Sequence, residues 1–234
     1  IVLGNGEQAA QGALQLALMA LGIGPGHEVI TVSHTAVATV AAIEQTGAAP
    51  VLVDNDPIRL TLDPTRLAGA LSPKTRAIVP VHLYGCPADL DPILTFARQH
   101  GLAVVEDCAQ SFGATWKGKQ TGTFGDVGCY SFFPSKNLGA YGDAGAVLTE
   151  DEALARQLRA LRNYGSEVKY SHPQLGFNSR LDPIQAAILS VKLTHLAAWN
   201  ARRAEAAQRY HRLLEPLTQV RRPRTLEGNV HAWH

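Results

Sequence analysis

The stretch Ser131–Gly145 (SFFPSKNLGAYGDAG) sets a single lysine, Lys136, among aromatic, hydroxyl and glycine residues directly after an apolar run. Partial burial in such a loop lowers a lysine's pKa and frees its amine, which suits imine chemistry with a carbonyl compound. The nearby hydroxyls and backbone N–H groups suit an anion such as phosphate. A plain surface loop after a strand would carry the same residue types. The second stretch is Val104–Gln110 (VVEDCAQ), in which an apolar run leads into Glu106 and Asp107. Ligands of open α/β sheets bind outside the carboxyl ends of the strands. A carboxylate buried there needs a partner, because an unpaired buried charge is costly, and a protonated ring nitrogen is one suitable cation. Asp107 would equally serve as the cap of a following turn. Taken together the two stretches say more. Asp107 lies 29 residues before Lys136, Gln110 three residues after Asp107, and Ser131 five residues before Lys136.

These residues need a scaffold, and the first two-thirds of the chain supplies an alternating one. Glu28–Ser33, Pro50–Val53, Arg76–His82 and Leu102–Glu106 read as strands, and Val37–Thr46, Asp63–Leu71 and Leu90–His100 as helices. Asp63 and Pro64 suit a helix start, and Gly101 a helix end. Connections of this length are crossover helices, which predicts a mainly parallel sheet covered on both faces. Val127–Phe133 and Gly145–Thr149 follow as strands around the glycine-rich lysine loop. Glu150–Arg162 reads as a helix, and Leu181–Leu214 as a long helical stretch broken near Ala197–Asn200. GIGPG (Gly22–Gly26) lacks the spacing of a dinucleotide loop and follows a helix, so it reads as a helix C-terminal turn.

Composition narrows the function classes. The 234 residues are 46% hydrophobic and 18% charged, enough for a sizeable core. Lys and Arg number 21 against 20 Asp and Glu, a net charge of +1 that gives no bulk attraction to nucleic acid or anionic membrane. The longest apolar runs, Ala13–Leu21 and Ala36–Ile43, fall far short of the roughly 20 residues that span a bilayer. Cys86, Cys108 and Cys129 form no CxxC pair and read as reduced thiols of a cytoplasmic protein; the nine histidines show no paired-ligand spacing, so no metal site is expected. Ile1 in place of Met, no visible secretory signal, and an ending at Val230–His234 without a stop signal suggest a piece of a longer chain.

The motifs also occur in one familiar order. Ala13–Ile30, Ser33–Thr39 (SHTAVAT), Pro80–Ile93, Glu106–Ala114 (EDCAQSFGA), the lysine stretch, Leu161–Ser166 (LRNYGS) and Gly176–Leu189 (GFNSRLDPIQAAIL) together resemble the DegT/DnrJ/EryC1/StrS family of sugar aminotransferases, which use pyridoxal 5'-phosphate (PLP). The resemblance implies the aspartate aminotransferase-type (type I) PLP fold: α/β, with a mainly parallel seven-stranded sheet between helices. It implies a large PLP-binding domain over 1–195, cut at its amino end, and the start of an incomplete small α/β domain over 196–234. By the same resemblance, Lys136 is the lysine that holds PLP as an internal aldimine and shuttles a proton, and Asp107 faces the pyridine nitrogen. Gln110 is similar to the side chain beside the ring hydroxyl, and Ser131 to the hydroxyl on the phosphate. Asn178 resembles the asparagine that reaches the phosphate from a neighbouring subunit, which implies a homodimer with a shared active site; without the family, Asn178 reads as a turn residue ahead of the helix at Leu181.

Two positions depart from the family pattern. A Gly-Thr pair usually opens the helix before ALxLAL, whereas here Ala10, Gln11 and Gly12 stand there and Asn5-Gly6 lies upstream. Gln11 and Gly12 are assigned to the phosphate through their backbone. Many relatives place an aromatic residue on the cofactor face at Ala36, so stacking is lost or comes from a residue such as His34. The implied reaction moves an amino group from an amino acid, L-glutamate by expectation, to a keto-deoxysugar on a nucleotide, with dTDP-3-keto-6-deoxyhexose as the expected substrate. Two rivals stand beside it: a sugar dehydratase of the same fold, in which a histidine replaces the lysine, and a non-catalytic PLP-binding regulator or scaffold.

Overall fold

The computed structural model describes residues 2–4 and 9–234, with side chains from residue 11 onward. Strands β1 (Val2–Gly4), β2 (Glu28–Val32), β3 (Ala49–Val53), β4 (Thr75–Val79), β5 (Ala103–Asp107), β8 (Val127–Ser131) and β9 (Ala144–Leu148) form one sheet in the order β1-β9-β8-β5-β4-β2-β3. A small hairpin, β6 (Thr115–Trp116) with β7 (Lys119–Gln120), stands apart. The pairs β2–β3, β2–β4, β4–β5 and β5–β8 are parallel, while β9 runs antiparallel to both β8 and β1. Six strands therefore point one way and β9 alone returns, giving the expected mainly parallel seven-stranded sheet. The apolar strands meet a helix layer: α1 (Ala9–Ala20) and α5 (Glu152–Leu161) bury Leu14, Leu18 and Leu158 against Val105, Val127 and Val147. A second cluster sets Ile93 and Ala97 of α4 (Leu90–His100) and Leu67 of α3 (Leu67–Ala70) among Ile30, Val53, Ile78 and Val104.

Local chemistry sets the ends. Asp151 caps α5 by accepting from Ala153 and Leu154 N–H at 2.7 and 3.1 Å, so that helix starts two residues later than the apolar pattern alone predicts. Asp63 accepts from Thr65 N–H at 3.0 Å behind Pro64, but this span divides into a 3₁₀ turn (Pro64–Arg66) and the four-residue α3. Gly101 ends α4 in the left-handed conformation, and Gly22–Gly26 is the expected turn after α1. The long helical stretch is α6 (Pro183–Leu193) followed by α7 (Leu196–Leu213), so its break falls at Thr194–His195 rather than at Ala197–Asn200. Thr194 bonds its own hydroxyl back to the Val191 carbonyl at 2.8 Å, a competitor for the helical ladder. The short β1 and the hairpin lack a run long enough to read from sequence. The three cysteines are buried and free. Among the described residues no helix is long and apolar enough to cross a membrane.

Candidate active site

The carboxyl ends of β5 and β8 lie side by side, with Asp107 in register with Cys129, two residues before Ser131. Alternation along β5 sends its two acidic neighbours to opposite faces. Glu106 is fully buried and accepts from Gly122, Phe124 and Gly125 N–H at 2.7–2.8 Å and from His82 Nε2 at 3.0 Å. Burial pushes its carboxyl up, but the His82 bond and the backbone donors outweigh that and hold it below the usual range. His82 Nδ1 accepts from Ala88 N–H at 3.0 Å, which leaves Nε2 as the donor to Glu106. His82, Glu106 and Cys108 offer donor atoms within 4.8 Å of one another, yet both Glu106 oxygens already serve backbone amides, and hydrogen bonding accounts for the cluster.

Asp107 faces the other way and is 4% exposed. Its Oδ1 accepts from Ala109 N–H at 3.0 Å and its Oδ2 from Thr39 Oγ1 at 2.8 Å. Thr35 Oγ1 stands 2.8 Å from Thr39 Oγ1 and completes a short hydroxyl chain from the start of α2 (Val37–Gln45). Burial still dominates, and the Asp107 carboxyl is pushed above its usual value, with Lys136 among the charges that oppose the rise. Lys136 is shifted the opposite way: desolvation lowers its amine, and Asp107 partly restores it. Its Nζ makes no hydrogen bond or ion pair among the described residues. The lysine loop is a closed turn, with Lys136 N–H on the Phe133 carbonyl at 2.9 Å and Ala140 N–H on the Phe132 carbonyl at 2.7 Å. Helix α6 clamps it, since Gln185 bonds both backbone groups of Tyr141 and Lys192 Nζ donates to the Gly139 carbonyl.

The remaining sequence-derived residues divide into two groups. Gln110 stands at the site's rim, where its Oε1 accepts from Tyr84 N–H at 2.5 Å and its Nε2 has no partner among the described residues. Ser131 is buried, and its Oγ accepts only from Phe133 N–H at 3.3 Å. Gln11 and Gly12 occupy the first turn of α1, which comes next in sequence after β1, an edge strand whose carboxyl end lies at the same end of the sheet as Asp107 and Ser131. Gln11 is 4% exposed, and its Nε2 has no hydrogen-bond partner among the described residues. A Cβ at Gly12 would meet nothing within 4 Å. Asn5 and Gly6, the alternative phosphate residues, lie outside the described residues. Ala36 is the exposed residue before α2, and His34 contacts Tyr84 edge-on at 5.8 Å between ring centroids.

Asn178 is not brought to Lys136. It is exposed, its backbone bridges to Asn163, and its Oδ1 accepts from Arg180 Nε at 3.2 Å. That leaves a role toward a neighbouring subunit untouched, whereas the turn-residue reading is corrected: Asp182 and Pro183 open α6, and Asn178 lies four residues before Asp182. Three residues next to the site escaped the sequence reading. Thr35 and Thr39 carried a signal, as hydroxyls four apart at a helix start. Tyr84 carried none, because its left-handed backbone (φ 58°, ψ 10°) is visible only in the fold.

The residues present fit a PLP-type group. Gln11 Nε2 is an unused buried donor at a helix amino end, Gly12 leaves room, Asp107 is a buried carboxylate short of a cation, and Lys136 is a desolvated amine. The sheet order with its one returning strand, and an acid and a lysine at adjoining strand ends, define a type I PLP fold. Residues 6–234 match the DegT/DnrJ/EryC1/StrS aminotransferase family, and the chain belongs to it. It is 48% identical over 233 residues to the "Pleiotropic regulatory protein" of Geobacillus stearothermophilus, covering 99% of this chain and 62% of that protein. It is 49% identical over 229 residues to dTDP-3-amino-3,4,6-trideoxy-alpha-D-glucose transaminase of Streptomyces venezuelae, covering 98% of this chain and 60% of that protein. The structure of S. venezuelae DesV in complex with a ketimine intermediate superposes with a TM-score of 0.93 at 47% identity, covering all of this chain and 62% of that one. The chain thus spans about three-fifths of the length of these relatives.

Proposed function

We propose that this chain carries the PLP site of a sugar aminotransferase, moving an amino group from L-glutamate to a keto-deoxysugar on a nucleotide, with dTDP-3-keto-6-deoxyhexose as the substrate of choice. The observation that bears most weight is the opposed pair at the strand ends: a buried acid raised by desolvation, and beside it an amine lowered by desolvation. PLP, when bound, supplies the electrophilic carbonyl and the electron-withdrawing ring on which an amino group can be handed over. Lys136 Nζ, a desolvated amine on a closed turn, would hold the cofactor and would be tethered to move a proton. Asp107, buried and short of a cation, would face the ring nitrogen and its charge would keep that nitrogen protonated. Ser131, Gln11 and Gly12 would hold the phosphate, and Gln110 would stand beside the ring hydroxyl. Each charge-assisted hydrogen bond of this kind is worth about 1.5–3 kcal/mol.

The choice of dTDP and of a 3-keto sugar is supported by the S. venezuelae relatives and by the GFNSRLDPIQAAIL and LRNYGS stretches. We retain two further proposals. One is a homodimer in which Asn178 serves the partner's site; an exposed residue unconnected to its own Lys136 suits that role. The other is a division after residue 195, which the helix break at Thr194–His195 favours. The regulator reading is favoured by the name of the G. stearothermophilus relative, and the spectrum decides between the two. With PLP added, absorbance at about 410–430 nm that moves to about 330 nm on L-glutamate supports the transaminase, and Lys136→Ala abolishes the visible band. A band unchanged by any amino acid favours the regulator, and full turnover in Lys136→Ala overturns the lysine's role.

A further inference from the structure

Two loops frame Lys136 and Asp107, and a residue that no motif singled out joins them. Residues Val230–His234 run as a strap from β6 across the turn at Tyr84 and Gly85. Val230 and Thr115 exchange backbone hydrogen bonds at 3.0 Å, Ala232 N–H donates to the Gly85 carbonyl at 2.9 Å, and His234 N–H donates to the Tyr84 carbonyl at 2.8 Å. Tyr84 N–H in turn holds Gln110 Oε1. His234 is therefore fixed, through backbone groups, relative to the Gln110 side of the site.

The other loop reaches the same residue. Asn137, next to Lys136 in sequence, is only 6% exposed. Its Nδ2 donates to the Ala232 carbonyl and to Asn200 Oδ1, both at 2.9 Å, and Asn200 Nδ2 donates to the Phe112 carbonyl at 3.0 Å. A backbone carbonyl only accepts, so the orientation of the Asn137 amide is settled and its Oδ1 is an acceptor. His234 Nδ1 lies 3.0 Å from that oxygen and must carry the hydrogen. Nε2 is then a bare lone pair. Burial, with Lys136 and Arg203 nearby, pushes the His234 imidazole down to about 4, so at neutral pH it adds no charge beside the lysine.

We propose that His234 is a positioning residue of this site: as the Nδ1–H tautomer imposed by Asn137, it closes the arc Gln110–Tyr84–His234–Asn137 that sets where Lys136 stands relative to Gln110 and Asp107. The inference rests on Lys136 being the reacting amine. An arc of satisfied, mostly backbone-anchored bonds holds a side chain far better than a free loop does, and small displacements of a reacting group are costly.

Two isosteres separate positioning from simple packing. An asparagine at 234 can place its amide N–H where Nδ1–H stood, whereas a glutamine places it nearer Nε2. ¹⁵N-histidine NMR of the protein before PLP is added should show a resonance, lost in His234→Asn, in the Nδ1–H form, with no protonation above about pH 5. With PLP bound, the pH midpoint of the 410–430 nm absorbance should be the same in His234→Asn as in the parent, and should move by about half a unit or more in His234→Gln and Asn137→Ala. An Nε2–H tautomer in the parent overturns the proposal, and so does equal behaviour of the two isosteres. If no visible band forms, the functional reading fails, while the NMR still decides the His234 tautomer; should His234→Asn not fold, His234→Gln supplies the assignment by the same loss of one resonance.

Discussion

Glu106 and Asp107 are adjacent carboxylates with opposite electrostatic fates, and the difference lies in their donors. Glu106 meets three backbone amides and His82, whereas Asp107 meets one amide and one hydroxyl. The Glu106 carboxyl lies below its ordinary 4.5 in the folded protein, so its stabilisation is complete above that pH and is lost as the pH falls through the folded value. Glu106→Gln should therefore cost about 3 kcal/mol at pH 7 and flatten the acid limb of stability below pH 4.5; urea titrations at both pH values check this. Asp107 has the reverse sign. Its folded value lies above 3.8, so ionising it costs stability as the pH rises past that point. Asp107→Asn should leave the cofactor-free protein as stable or more stable at pH 7, yet weaken PLP binding ten- to a hundredfold, since a charge-assisted bond of about 1.5–3 kcal/mol is lost. Thermal melting with and without PLP measures both effects, and a variant that loses stability while keeping PLP affinity contradicts the assignment.

At the scale of elements, the site exists because several element ends meet. The loop that supplies amides to Glu106 can approach β8 only because residue 128 is glycine: a Cβ there would lie 2.2 Å from the Gly122 carbonyl oxygen. The first turn of α1 contributes differently. Gln11 Nε2 is buried without a partner among the described residues, a cost of about 1–3 kcal/mol that a bound phosphate would remove. Gln11→Ala should thus leave the cofactor-free melting temperature nearly unchanged and weaken PLP binding about tenfold, read by fluorescence titration. Loss of stability without loss of affinity would make Gln11 a packing residue. Ala36 and His34 at the start of α2 supply no ring from position 36, and the contact between His34 and Tyr84 is the aromatic feature of that rim.

Over the whole molecule, exposed apolar side chains lie on the segment that leads into α6 and on α6 itself. Leu175 is 93% and Tyr170 85% exposed, with Val168, Ile184 and Val191 also open. Contiguous patches of this kind mark association surfaces. The segment is held in shape by backbone bonds from Tyr164, Phe177 and Ser179 to residues 161–177, so it is a formed surface bearing Asn178. If that surface is the dimer face, Leu175→Asp should dissociate the protein to monomers with little change in each monomer's own fold, because an exposed site tolerates the change to within about 0.5 kcal/mol. Sedimentation velocity gives the answer, and a parent protein that is already monomeric removes the shared-site proposal.

The amino-acid sequence by itself determined the parallel core, the acid and lysine at strand ends, and the family. Those depend on apolar periodicity and on residue types at short spacings, which are local properties. It also placed the Asp63 and Gly101 caps correctly, because capping is decided within three or four residues. Tertiary structure alone decided the rest. Glu106 and Asp107 read alike in one dimension, and only the partners brought by residues 122–125 and by α2 give them opposite character. The helix break moved to Thr194 because a side-chain bond competes with the backbone there. Asn178 pairs through its backbone with residue 163, and no sequence spacing encodes that. Asn137 and His234, 97 residues apart, meet only when the strap at 230–234 crosses the Tyr84 loop, and long-range meetings of that kind leave no periodic trace in a sequence.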